Sequence, residues 1–252
     1  MTRRQVLMLM AGTLLGLGLL AGCGGSNSHI SGTFAHAESY RVAGKHREAV
    51  EAYSLFLRRS PTDSLATLAQ FEKAMSYVVL KEFPLAVVEF QILRQEYPTS
   101  ELVEEAFFRE GEALLAQVNG VEKDITAAHE AREQFLAFLQ TYPASPFGNQ
   151  ARARLVEISD LVVSKHLRSA HMYKRMKKYE ATVVVLDRLL ATERRSTLVP
   201  VILIERAGMA RILAAPQDER RFLQRIIDEY PNSSQAKSAR RRIASLPVDA
   251  EA

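Results

Sequence analysis

The sequence repeats itself from Phe34 onward, and corresponding positions such as Pro61 and Pro98 lie 37 residues apart. The first two copies carry a small residue, a tyrosine, a turn, an alanine, an aromatic residue and a closing proline. A helix pair of this length cannot bury its apolar stripe alone, so it is stable only when neighbouring copies stack on it. The period therefore predicts a stack of helix-turn-helix units. The first two copies are Ala37, Tyr40, Gly44, Ala49, Tyr53, Pro61 and Ala74, Tyr77, Lys81, Ala86, Phe90, Pro98.

Three less regular copies follow, and the third carries an insertion of eight residues that we place between Val118 and Asp124. The signature resembles the tetratricopeptide repeat, whose small residues let the two helices of a unit approach closely. The resemblance implies an all-α fold, a right-handed α-solenoid of about five such repeats over residues 34–246 with a C-terminal capping helix, and a tail over 247–252. The later copies are Gly111, Leu114, Ala131, Phe135, Pro143, then Ala170, Tyr173, Tyr179, Leu186, Leu189, then Ala207, Leu223, Ile226, Pro231.

Local patterns also indicate helices. Leu85, Val88 and Ile92, with Phe90 and Leu93, recur at helical spacing and predict an apolar helix face. Asn232 followed by Gln235 predicts a capping box at the start of the last helix. No alternating run of apolar and polar residues is long enough to indicate a sheet.

The N-terminal residues have the pattern of a secretory signal. Arg3 and Arg4 precede an apolar run from Val6 to Ala21. This run rises about 24 Å as a helix, which is short for a stable membrane span. We therefore predict that residues 1–22 are a cleaved signal peptide.

The signal ends in Leu20-Ala21-Gly22-Cys23, which resembles the bacterial lipobox. The resemblance implies that Cys23, the only cysteine, becomes the lipid-bearing first residue of the mature chain. Residues 23–33 then form a flexible, polar tether. Because Gly24 rather than an aspartate follows the cysteine, the same resemblance implies the periplasmic face of the outer membrane.

Three repeats end in the same dipeptide, Tyr97-Pro98, Tyr142-Pro143 and Tyr230-Pro231. Five repeats behind a lipobox, with an extended third repeat, resemble the BamD family of the outer-membrane β-barrel assembly machinery. The resemblance implies a lipid-anchored periplasmic scaffold that binds the barrel-forming insertase, its accessory lipoproteins and unfolded outer-membrane proteins. The alternative is another tetratricopeptide lipoprotein, such as a secretin pilotin or a cell-envelope organiser. Two departures are Met176-Lys177 at a turn that usually has glycine and Glu193-Arg194-Arg195 in place of the terminal Tyr-Pro.

The sequence does not contain the common catalytic motifs. Beyond the signal peptide there is no glycine-rich phosphate loop, no Gly-x-Ser-x-Gly elbow and no His-Glu-x-x-His zinc motif. We therefore expect neither an enzyme nor a bound cofactor or metal. The formal net charge of +4 falls to +2 without Arg3 and Arg4, which gives no reason to expect nucleic-acid binding.

Charge is distributed unevenly along the chain. Residues 24–164 hold 13 basic and 19 acidic side chains, whereas residues 165–242 hold 18 basic and 8 acidic ones. Such asymmetry steers an acidic protein or anionic lipid toward the basic half, although an ordinary solvated face remains the alternative. The densest cluster, and our predicted partner-binding site, is Lys174, Arg175, Lys177 and Lys178.

A second predicted surface is a peptide groove lined by the first helix of each repeat. Solenoids commonly hold an extended or helical peptide on such a concave face. Packing between helices is the alternative explanation for each of these side chains. The groove residues expected from the repeat register are Phe34, Phe71, Met75, Val78 and Phe108.

Overall fold

The computed structural model describes residues 30–118 and 124–246, and within them the chain forms eleven helices and no strand. The signal peptide, Cys23 and the C-terminal tail lie outside the described residues. None of the described helices is both long enough and apolar enough to cross a membrane. The helices are α1 (Phe34–Val42), α2 (His46–Arg59), α3 (Ala66–Val79), α4 (Phe83–Glu96), α5 (Leu102–Ala116), α6 (Thr126–Thr141), α7 (Gly148–Arg175), α8 (Tyr179–Thr192), α9 (Val199–Ile212), α10 (Pro216–Glu229) and α11 (Ser234–Ala244).

The helices pack in sequential pairs, each against the next along the chain. The small residues of the repeat lie where paired helices cross, and Ala37, Ala74 and Ala86 are fully buried. The aromatic residues of the second helices, Tyr53 and Phe90, are also fully buried. This arrangement confirms the predicted stack of helix-turn-helix repeats, a tetratricopeptide-type solenoid with α11 packed on its last repeat.

The turn inside four of the five repeats uses the same backbone geometry. One residue has a positive φ, and the amide N–H that follows it donates to a carbonyl five residues back, at 2.9 Å in each repeat. This is the Schellman motif, in which glycine is favoured because a Cβ atom is strained in the left-handed region. The positions are Gly44 (φ 72°), Lys81 (60°), Lys177 (58°) and Ala214 (54°).

Two local predictions need correction. The helix is confirmed as α4, and Phe90 and Leu93 of the predicted face are buried, but Leu85 and Val88 are 46% and 48% exposed. The predicted capping box places the cap at Asn232, one residue before the observed cap. The cap of α11 is Ser233, whose hydroxyl accepts the backbone N–H of Ala236.

The longest described helix, α7, belongs to two cores. Its 28 residues extend about 42 Å, twice the length of α8 or α9. Leu155 and Ile158 in its first half pack with α5 and α6, whereas Val163 and Leu167 in its second half pack with α8 and α9. The extra 14 residues add about 21 Å to α7 relative to α8.

Candidate protein-interaction site

The predicted cationic cluster lies at the C-terminal end of α7 and in the turn that follows. Lys174 forms an ion pair with Glu205 of α9, with 3.0 Å between Nζ and Oε2. Arg175, Lys177 and Lys178 are exposed, and none of them forms an ion pair within the part of the chain that the structure describes. Three of the four predicted cations are therefore available to a partner, and the fourth is partly neutralised.

Large apolar side chains flank this cluster. Met172 and Met176 are 43% and 54% exposed, and Leu213 is exposed at the equivalent turn of the fifth repeat. An apolar patch bordered by cations is the composition of a protein interface, in which the apolar atoms contribute affinity and the charges contribute orientation. The cluster at the end of α7 thus has both components.

The predicted peptide groove is corrected at two of its five positions. Phe108 is fully buried and stacks on Phe147 with ring centroids 5.1 Å apart, while Phe71 is buried against Phe90. Both rings fill the space between paired helices, so they are not available to a surface peptide. The other three, which are partly buried, remain predicted groove residues: Phe34, Met75 and Val78.

An ion pair that the sequence did not reveal joins the third repeat to the fourth. Arg132 of α6 donates two hydrogen bonds to Glu193 at the end of α8, at 3.1 and 2.7 Å. Glu193 is buried and occupies the helix-end position that Tyr97, Tyr142 and Tyr230 hold in other repeats. The signal in the sequence was the missing Tyr-Pro, but nothing in the sequence identified Arg132 as its partner.

A cleft of about 300 Å³ lies next to this ion pair, and His129 and His166 are among its lining residues. Partial burial lowers the pKa of His166 below its ordinary value, and the positive charges of Arg188 and Lys165 lower it further. The carboxylate of Glu193 acts in the opposite direction, but its effect is smaller. Together these effects favour the neutral form of His166.

The described residues contain no group of three His, Cys, Asp or Glu side chains that could hold a metal ion. The cluster at the end of α7 presents cationic and apolar surface. Such surface can bind and orient another protein.

Residues 28–193 match a family described as YfiO, outer membrane lipoprotein. The chain belongs to the YfiO family. The match spans α1 to α8, and so includes the long α7 and the Arg132–Glu193 junction. Membership in this family associates the chain with the outer membrane.

Curated relatives of this YfiO-family chain carry the name outer membrane protein assembly factor BamD. The protein from Neisseria meningitidis serogroup A is 23% identical over 211 residues, which are 79% of this chain and 79% of the relative. The protein from Vibrio cholerae is 22% identical over 185 residues, 68% of this chain and 77% of the relative. The chain is therefore similar to BamD proteins over most of its length.

Solved structures of other helical-repeat proteins are also similar to the chain. A thermophilic TPR protein from Thermus thermophilus is 16% identical and covers 84% of this chain and 95% of its own, with a TM-score of 0.34. The type IV pilus biogenesis factor PilW is 17% identical and covers 84% of this chain and 90% of its own, with a TM-score of 0.34.

Proposed function

We propose that this chain is a lipid-anchored periplasmic scaffold for outer-membrane protein assembly. In this role it binds the barrel-forming insertase and its accessory lipoproteins, and it helps to insert β-barrel proteins into the outer membrane. The observation that carries the proposal is the family match over residues 28–193, together with relatives named as outer membrane protein assembly factors.

The physical character of the described surface supports a scaffold. A helical-repeat stack presents a long surface on which each repeat contacts only its neighbours, so one chain can hold several partners at separate positions. The cluster of Arg175, Lys177 and Lys178 beside Met172 and Met176 is the surface we assign to an acidic partner.

Anchoring through Cys23 fits this role. Diacylation gives stable membrane attachment, because each buried methylene contributes about 0.8 kcal/mol and two chains act together. The 11 residues from Cys23 to the start of α1 at Phe34 span at most about 36–40 Å when extended. The repeats therefore stay close to the membrane that holds the lipid.

The test is affinity capture from membranes with a C-terminal tag, after crosslinking in cells and extraction in mild detergent. We expect the barrel-forming insertase to be the dominant captured protein. A Cys23→Ser variant should leave the membrane fraction while remaining folded. Capture of a secretin or of peptidoglycan-bound proteins without the insertase would overturn the proposal and favour a pilotin or a cell-envelope organiser.

Charge reversal tests the predicted partner surface. Glutamate at Arg175, Lys177 and Lys178 should weaken capture by about tenfold, because like charges at an interface oppose association. The matched control reverses three exposed cations on the capping helix α11, Lys237, Arg240 and Arg241. Equal capture by both triple variants would remove the α7 cluster from the interface.

A further inference from the structure

A cavity of about 370 Å³ opens beside the Arg132–Glu193 ion pair, which also lines the histidine-lined cleft. Leu155 and Ser159 of α7 line it, and so do Arg194 and Arg195 of the loop after α8. We call it the Arg194–Arg195 cavity. A cavity of this size is at the lower end of those that hold a small ligand, so it admits one or two side chains rather than a helix.

The cavity lies where this repeat departs from the others. In the second repeat Tyr97 ends α4, and its hydroxyl donates to the carbonyl oxygen of Pro61 at 3.1 Å beside a cavity of about 360 Å³. The fourth repeat has the shorter Glu193 at that position, and its carboxylate is turned to Arg132 instead. The fourth repeat therefore lines this position with charged residues, where the second repeat has a tyrosine ring.

The loop that carries the two arginines is fixed in position. Asp160 of α7 accepts hydrogen bonds from the backbone N–H of Thr197 at 2.8 Å and from the Thr197 hydroxyl at 2.7 Å. The same carboxylate accepts from Ser196, which is buried. Arg194 and Arg195 are thus presented by an anchored turn, which lowers the entropy cost of binding through them.

The charge around the cavity is unbalanced. Arg132 is neutralised by Glu193, but in the described residues neither Arg194 nor Arg195 forms an ion pair. The charged residues that line the cavity are therefore three arginines and one glutamate. Guanidinium groups bind carboxylates through paired, charge-assisted hydrogen bonds, so the complementary ligand is an acidic side chain.

We propose that the Arg194–Arg195 cavity binds a carboxylate side chain from an acidic segment of a partner protein. Ser159 supplies a hydroxyl at the wall, and Leu155 supplies an apolar contact for the aliphatic part of the incoming side chain. This inference rests on the proposed function only in that the partner belongs to the assembly complex. The carboxylate chemistry follows from the cavity itself.

The experiment places a photo-crosslinking amino acid at Thr192, an exposed residue that lines the cavity, in the full-length tagged protein. Crosslinked peptides are then identified by mass spectrometry. We expect peptides with aspartate or glutamate at or next to the crosslinked residue. Reversal of Arg194 and Arg195 to glutamate should lower the crosslink yield by about tenfold. The matched control, Lys237→Glu with Arg241→Glu on α11, changes the net charge equally and should leave the yield unchanged.

The outcomes separate this inference from the proposed function. Acidic peptides from a protein outside outer-membrane assembly would uphold the cavity and overturn the proposed function. Three results would refute carboxylate binding in the cavity: no crosslink at Thr192, crosslinks to lipid alone, or a crosslink yield that is insensitive to reversal of Arg194 and Arg195. If the insertase is still captured, the scaffold role is retained.

Discussion

Gly111 offers a direct test of how closely the helices of the third repeat approach. It lies on α5 and faces the ring of Phe135 on α6. A Cβ atom added at Gly111 would lie 2.8, 2.9 and 3.1 Å from three ring carbons of Phe135. That ring is fully buried and packs on Phe108 with centroids 5.8 Å apart, so it cannot move aside without disturbing the core.

The expected cost follows from two opposing contributions. Alanine favours the helix over glycine by about 1 kcal/mol. Overpacking a dense core costs about 1–3 kcal/mol. Gly111→Ala should therefore lower the free energy of unfolding by about 0–2 kcal/mol. Gly208→Ala is the matched control, because no atom lies within 4 Å of its added Cβ and the full gain of about 1 kcal/mol is retained.

The assay is urea unfolding followed by circular dichroism, with thermal melts in parallel. For a domain of this size, each 1 kcal/mol corresponds to about 2–4 °C in Tm. We expect Gly208→Ala to melt above the parent protein and Gly111→Ala to melt at or below it. A rise in Tm for Gly111→Ala equal to that of Gly208→Ala would refute the close approach of α5 and α6.

Three further predictions concern the backbone, the junction and pH. Lys177→Gly should raise the free energy of unfolding by about 0.5–1 kcal/mol, because relief of the left-handed strain exceeds the entropy cost of glycine. Gly44→Ala should lower the free energy of unfolding, and urea unfolding midpoints measure both changes. Arg132→Ala should cost about 3 kcal/mol in urea unfolding by leaving Glu193 buried and unpaired, whereas leucine at both positions should restore most of that stability. Because the folded chain holds the pKa of His166 below its ordinary value of 6.5, the unfolded chain takes up a proton first as pH falls, so stability drops below about pH 6.5. His166→Gln should flatten that part of the stability profile between pH 7 and 5, and an unchanged slope would assign the effect to another group.

The sequence predicted the repeats well because the residues that recur at the repeat spacing are the ones that pack between helices. Ala37 and Ala74 are 37 residues apart, and both are buried where two helices cross. The Met176-Lys177 turn was recognised as a departure, and Lys177 indeed holds the left-handed conformation in which glycine is favoured. Such positions are determined by contacts within one repeat, which a local pattern captures.

The length of α7 was not predicted, although the sequence contains a signal for it. No glycine or proline occurs from residue 149 to 175, and 27 residues separate Pro143 from Ala170 of the next copy. A helix through this interval is longer than one repeat requires, because its first half packs on α5 and α6 of the third repeat. The only additional length that the sequence analysis assigned to the third copy was the insertion between Val118 and Asp124, so the extension of α7 was missed.

The predicted groove failed at Phe71 and Phe108 for a different reason. A residue on the first helix of a repeat faces either its paired helix or the free surface, and helical spacing is the same for both. The choice depends on where the neighbouring helices lie. Phe108 is enclosed by Phe135 and Phe147, from α6 and from the loop before α7, and those contacts depend on tertiary packing.

The fourth repeat combines both departures from the repeat pattern, and they lie at opposite ends of its second helix. Lys177 is in the turn between α7 and α8, whereas Arg194 and Arg195 follow α8, about 21 Å away along its 14 residues. Two cationic sites separated by a helix length do not share partners within the protein, so their effects on binding should be additive. The fourth repeat is therefore the part of this solenoid that can contact one long acidic surface at two points, or two partners at once.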